Sequence, residues 1–249
     1  MNGFQRKSDP REEPGSGLIV GGFVPLTTID FPGRLAAVVF CQGCPWRCPY
    51  CHNPHLRSRR ADSGWTWSRV LGVLRARVGL LDGVVFSGGE PLVQPALGDA
   101  MAELRGLGFR VALHTGGVDP DHLGRVLSLV DWVGFDAKAP FDGYGRITGR
   151  RDSGDAARRS LRLLLDSGVD HEVRTTVEPS LLSADDLRAM AAELTELGVR
   201  RFVIQEARTP SNPPLATPRG VGSAADIALA AELATRFDFF EIRAEHGVR

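Results

Sequence analysis

The stretch that decides the fold reads Leu35-Ala-Ala-Val-Val-Phe-Cys41-Gln-Gly-Cys44-Pro-Trp-Arg-Cys48-Pro-Tyr-Cys51-His-Asn-Pro54. Its first seven residues have the length and β-branched content of a buried strand. That strand delivers the chain into a loop holding all four cysteines, at positions 41, 44, 48 and 51. Cysteines this close could close only tiny, strained disulfide rings, and in a reducing compartment such a cluster binds metal instead. Taken as CxxC-x3-CxxC, the loop offers four thiolates to zinc. Zinc pairs are ordinarily separated by roughly 12–20 residues, because each pair forms its own knuckle. Taken as C-x3-C-x2-C, Cys44, Cys48 and Cys51 wrap one corner of a cubic iron–sulfur cluster. Electron-transfer clusters use four cysteines, whereas three leave one iron open to a substrate. On this reading Cys41 is a small buried strand-end residue rather than a ligand.

Outward from that stretch the chain alternates. Leu18–Pro25 reads as a short hairpin or edge strand. Buried strands are expected at Gly83–Ser87, Phe109–His114, Trp132–Asp136, Glu172–Val177, Phe202–Gln205 and Phe239–Arg243. Helices are expected at Ser68–Val78, Pro95–Leu107, Asp119–Leu129, Asp155–Ser167, Ser183–Leu197 and Ala224–Thr235. Ser183 is placed to cap its helix, while Gly168 and Gly198 stand where a left-handed residue ends one. This alternation predicts an α/β fold with a parallel sheet, either doubly wound or curled into a barrel. Residues 18–249 are expected to form one domain after a polar tail, 1–17, and Thr209–Gly220 reads as a proline-rich loop.

Composition narrows the function. The 249 residues balance 30 Lys+Arg against 30 Asp+Glu, so no global basic field exists to collect nucleic acid or an anionic membrane. No apolar run approaches the ~20 residues of a membrane span, and the first residues lack a signal core. The expectation is a cytoplasmic protein with neither nucleic acid nor membrane as partner.

Cys44-x3-Cys48-x2-Cys51, with aromatic Tyr50 just before the last cysteine, resembles the motif of the radical S-adenosylmethionine (SAM) superfamily. Cys51-His-Asn-Pro54 looks like the continuation found in activating enzymes for glycyl radical enzymes. Gly21-Gly-Phe-Val-Pro-Leu-Thr-Thr-Ile-Asp-Phe-Pro-Gly33 is similar to the N-terminal segment of anaerobic ribonucleoside-triphosphate reductase activating proteins. The resemblance spans residues 18–249. It implies a partial (β/α)6-type TIM barrel in which Cys44, Cys48 and Cys51 hold a [4Fe–4S] cluster and SAM binds at the open iron.

Further contacts follow from the same resemblance. Ser87-Gly-Gly-Glu-Pro91 is similar to the family's GGE motif. Gly88 and Gly89 would let backbone lie against the cofactor, with Glu90 accepting from its amino group. Asp136-Ala-Lys138 resembles the Asp-x-Lys segment that approaches ribose and carboxylate. In His114-Thr-Gly-Gly117, Gly116 stands where many relatives carry Asn or Ser, leaving Thr115 and backbone as contacts. His114 is expected to be a packed strand-end residue. Tyr50, Cys51, His52, Arg174 and Gln205 complete the set, with His52 hydrogen bonding around the cluster. An inward Arg174 would need an anionic partner. Trp46 and Arg47 crown the loop, either packing or meeting a partner, and Trp65 and Trp67 are packing residues.

No catalytic side chain is expected beyond the cluster and cofactor. The resemblance implies that an electron donor such as flavodoxin or ferredoxin reduces the cluster. SAM then cleaves to methionine and a 5′-deoxyadenosyl radical, which takes hydrogen from a glycine α-carbon of a partner, anaerobic ribonucleoside-triphosphate reductase in the favoured case. Three rivals stand beside this reading. They are a radical SAM enzyme acting on a small molecule, like the 7-carboxy-7-deazaguanine synthases, a non-catalytic iron–sulfur electron carrier, and a structural zinc protein.

Overall fold

The apolar runs become eight strands of one sheet, ordered as they occur in the chain. The computed structural model describes residues 17–60, 63–207 and 224–243. The strands are Val20–Thr27 (β1), Ala36–Cys41 (β2), Gly83–Gly88 (β3), Arg110–Thr115 (β4), Trp132–Asp136 (β5), Asp170–Val177 (β6), Arg201–Glu206 (β7) and Phe239–Arg243 (β8). β1 pairs antiparallel with β2, and every later pairing is parallel. A doubly wound sheet reverses its strand order at a switch point. Here the order never reverses, so right-handed crossovers keep the helices on one face. That is barrel winding. Among the described residues nothing pairs β8 with β1, and the barrel stays partial.

Alternation along each strand separates two apolar clusters. Ala37, Val39, Val84, Phe86, Val111 and Leu113 pack outward in the larger one, with the helices. Ala36, Val38, Val85 and Ala112 face inward, where Phe31 from the β1–β2 connection packs among them. That connection turns at Gly33, whose φ of 68° suits glycine.

The helices are Trp67–Arg75 (α1), Leu97–Gly106 (α2), Pro120–Val126 (α3), Tyr144–Thr148 (α4), Ser153–Ser167 (α5), Ala184–Leu197 (α6) and Ala224–Ala234 (α7). Ser183 caps α6 in a reciprocal box with Asp186, and Gly168 and Gly198 end α5 and α6 in left-handed conformation. α1 stops at Arg75, short of the expected Val78, and α4 was not anticipated. The expected loop Thr209–Gly220, and all of the expected tail except Gly17, lie outside the described residues.

Candidate active site

Strand C-terminal ends and the loops after them enclose a cavity of about 220 Å³. The loop after β2 contributes Cys44, Cys48, Tyr50, Cys51 and His52, and the end of β3 contributes Gly88, Gly89 and Glu90. Thr115 closes β4, Asp136 and Lys138 leave β5, and Arg174 and Gln205 come from β6 and β7. Every residue expected at the site therefore lines this one cavity. Cys41 does not; it is fully buried in the outer core.

Main-chain hydrogen bonds fix the cysteine loop. The Gly43 N–H donates to Leu56 O at 2.7 Å, Cys44 N–H to Arg57 O at 3.2 Å and Arg47 N–H to Thr148 O at 2.8 Å. From β3, Gly89 N–H reaches Cys41 O at 2.9 Å and Glu90 N–H reaches Gly43 O at 2.8 Å. A Cβ on Gly89 would sit 2.4 Å from Gly43 O. The cysteine loop itself thus demands that glycine, which differs from the expectation that a cofactor would. Gly88 has φ 110°, and its Cβ would meet Cys41 N at 2.6 Å, so it closes β3 against β2.

Burial, helped by the Glu90 charge, pushes the Cys44 thiol up to about 12, and burial also raises Cys48. Such thiols ionise when a cation binds them. Among the described residues no three His, Cys, Asp or Glu side chains converge as ligands of a lone metal ion. A zinc ion needs that convergence, whereas a cubic cluster takes its thiolates at separate corners. Tyr50 also lines the cavity, and its buried hydroxyl has no hydrogen-bond partner among the described residues. Three thiols and an unpaired hydroxyl in one wall fit a cluster with a polar ligand beside it.

At the end of β3, Glu90 is held on both oxygens. Oε1 accepts from Thr115 Oγ1 at 2.6 Å and Leu92 N–H at 3.1 Å, and Oε2 accepts from Gly116 N–H at 2.9 Å. Thr115 thus orients Glu90, and its hydroxyl also accepts from Gly117 N–H at 2.9 Å. Burial pushes the Glu90 carboxyl up to about 7 against the pull of these donors.

Asp136 is the centre of a second cluster. Arg174 Nε donates to its Oδ1 at 2.6 Å, and Lys138 Nζ lies 3.4 Å from Oδ2. Burial alone would raise the Asp136 carboxyl, but Arg174 and then Lys138 outweigh it and hold it far below the usual range. Arg174 faces inward and Asp136 is its anion. His114 also lines the wall, with Nε2 donating to Asp30 O at 2.9 Å and its ring edge-on to Trp132. Burial, with Arg174 nearby, lowers it to about 3, so it stays neutral, as a packed histidine should.

Sequence reasoning did not assign Asn53, Ser87 and Thr176 to the wall, and it left Trp46 open. Trp46 explains Gly116: its Cζ3 lies 2.3 Å from where a Cβ on that residue would be. α4 brings in fully buried Tyr144, stacked on Phe141 and edge-on to Trp46, with its hydroxyl accepting from Lys138 N–H at 3.0 Å.

An α/β partial barrel with a three-cysteine loop on its first parallel strand defines a class, and comparison with known proteins agrees. The Radical SAM superfamily model matches residues 38–179. The Methanocaldococcus jannaschii protein MJ1227, named provisionally as a glycyl-radical enzyme activating enzyme, is 32% identical over 198 residues, 76% of this chain and 79% of its own. The pyruvate formate-lyase-activating enzyme of Clostridium pasteurianum is 34% identical over 170 residues, 66% of this chain and 70% of its own. The structure of QueE from Escherichia coli superposes with a TM-score of 0.57 at 15% identity, over 92% of this chain and 95% of that one. The chain belongs to the radical SAM superfamily, whose cofactors are a [4Fe–4S] cluster and S-adenosylmethionine.

Proposed function

We propose that the chain is an activating enzyme that generates a glycyl radical on a partner enzyme. The observation that carries the reading is the single cavity lined by three thiols, Glu90 and the Asp136 cluster. Cys44, Cys48 and Cys51 would hold the cluster, and Cys41 would remain in the core. When bound, the cluster and SAM supply the chemistry: one electron cleaves the sulfonium, and the resulting 5′-deoxyadenosyl radical takes a hydrogen atom from glycine. The side chains bind and orient. Glu90, fixed by Thr115 and Gly116, would receive the cofactor's amino group. Lys138 would meet its carboxylate and Asp136 the ribose, with Arg174 keeping the Asp136 carboxylate charged. Tyr50, His52, Gly88, Gly89 and Gln205 complete the enclosure and exclude water.

Likeness to MJ1227 and to the Clostridium enzyme supports a glycyl radical enzyme as partner. The Gly21–Gly33 resemblance favours anaerobic ribonucleoside-triphosphate reductase. Its residues also serve the fold: Phe31 fills the barrel and Asp30 holds His114. The reading takes 18–249 as one domain in the cytoplasm, reduced by a flavodoxin or ferredoxin. Among the described residues no helix is long and apolar enough to cross a membrane. The test is anaerobic reconstitution followed by assay for 5′-deoxyadenosine, then for a glycyl radical signal on added reductase. Deoxyadenosine without any radical on reductase or formate-lyase would favour a small-molecule substrate instead, and no deoxyadenosine would refute the whole reading.

A further inference from the structure

Cys44 belongs to two surfaces. It lines the cavity of the site, and it also lines a separate pocket of about 500 Å³ walled by Pro45, Trp46, Arg47, Pro54 and Arg57. The thiol side of the loop therefore has an inner and an outer face.

The outer face is cationic. Residues 31 to 61 contain no Asp or Glu but five arginines, in a chain whose charges sum to zero. Arg47, Arg57, Arg59 and Arg60 are exposed. The Arg59 stem lies 3.7 Å from where a Cβ on Gly43 would be, which sets it against the loop. Arg47 lies at the same distance from the corresponding position on Gly149, which brings exposed Arg150 alongside. Arg47, Arg57, Arg59, Arg60 and Arg150 form no ion pair with a described residue. Several arginines elsewhere are neutralised. Arg75, Arg105, Arg146, Arg159 and Arg188 each pair with a carboxylate. Like charges repel, and five arginines without an ion partner among the described residues stand around the loop that carries the thiols.

Resting on the proposed function, we propose that this face is the docking site of an acidic electron-donor protein, which reduces the cluster through the Cys44 side of the loop. One electron leaves the donor, which is oxidised by one, and the cluster is reduced by one; no bond or proton moves in the step. Electron transfer weakens steeply with distance, so a donor must sit against the thinnest wall. The glycine of a radical acceptor has a different requirement. A hydrogen atom must be taken at contact distance inside the cavity, and Cys44 and Trp46 stand between the cavity and this face. An electron crosses such a wall and a hydrogen atom does not. Cationic complementarity to an acidic donor steers encounter and weakens with salt.

The test uses the reconstituted full chain, its Arg47→Glu/Arg57→Glu variant, and flavodoxin and ferredoxin as probes. Calorimetry with the oxidised probes should give an affinity that falls about tenfold or more from low to high salt, and at least as much in the variant at low salt. Deoxyadenosine formation driven by the reduced probe should fall in parallel. Iron content and the dithionite-driven rate should match the parent. Should charge reversal disturb the loop and lower iron, Arg60→Gln/Arg150→Gln carries the same test, with a loss of about threefold expected. Parental affinity and donor-driven rate in the variants would overturn the proposal. So would loss of dithionite-driven glycyl radical formation alone, which would give this face to the radical acceptor. A parent that fails to cleave SAM even with dithionite would instead refute the proposed function.

Discussion

The two sides of the cavity are held together by different forces. On the cysteine side the main chain does the fixing, through bonds to Leu56, Arg57, Thr148 and the Gly89–Glu90 backbone, and the side chains stay available. On the strand-end side the side chains fix one another, with Thr115 and Gly116 on Glu90 and with Arg174 and Lys138 on Asp136. A main-chain scaffold can hold a ligand set written in local spacing. Apart from Lys138, two residues from Asp136, the side-chain scaffold takes partners 25 to 38 residues apart, which no local pattern displays. The two sides should accordingly fail differently when cut, one losing metal and the other losing SAM.

The largest effect belongs to the loop. Cys44→Ala, Cys48→Ala and Cys51→Ala should each abolish the cluster's visible absorption after anaerobic reconstitution, while Cys41→Ala should keep most of it. Full loss in Cys41→Ala would mean that the loop side extends into the core.

Next comes Gly89→Val, which probes where the two sides meet. With Gly43 O only 2.4 Å from the new Cβ, the cysteine loop must shift. Iron content should fall by half or more, and SAM binding with it. A variant that keeps its iron and loses only SAM affinity would restore the simpler view that this glycine makes room for the cofactor.

Asp136→Ala should do the reverse. It leaves Arg174 and Lys138 facing each other unneutralised and removes a charge-assisted hydrogen bond worth roughly 1.5–3 kcal/mol. SAM affinity should fall by one to two orders of magnitude at about 1.4 kcal/mol per tenfold, with iron content unchanged. Calorimetry and iron analysis of one preparation decide it, and parental affinity would reduce the Asp136 cluster to scaffolding.

This division also explains what could be read from the chain. β5 and β8 fall where their apolar runs begin and end, and the three-cysteine loop is legible because its cysteines lie within eight residues. Barrel against doubly wound was not legible from alternation, because both place a helix after each strand and only strand order separates them. α4 escaped because five residues between two glycines give no helical period. Gly116 looked like a missing side chain until Trp46, seventy residues earlier, was found in its space. Arg174 could be assigned only once Asp136 stood beside it.

The smallest effect is a pH dependence with two limbs of opposite sign. Glu90 titrates at about 7 in the folded chain against an ordinary 4.5, because burial opposes its charge. Between those values the folded state holds the extra proton, so this contribution to stability is full below about pH 4.5 and is lost as pH rises through 7. Relative to Glu90→Gln, the cluster-free parent should lose roughly 1–2 kcal/mol between pH 5 and 8 by urea denaturation. His114 runs the other way. Its folded value of about 3 lies below the ordinary 6.5, so stability is full above 6.5 and is lost as pH falls toward 3. Relative to His114→Asn, the parent should weaken only on the acid side. A parent-minus-Glu90→Gln difference that stays flat from pH 5 to 8 would mean that water reaches Glu90, and the strand-end side would then lose the dry carboxyl on which its reading depends.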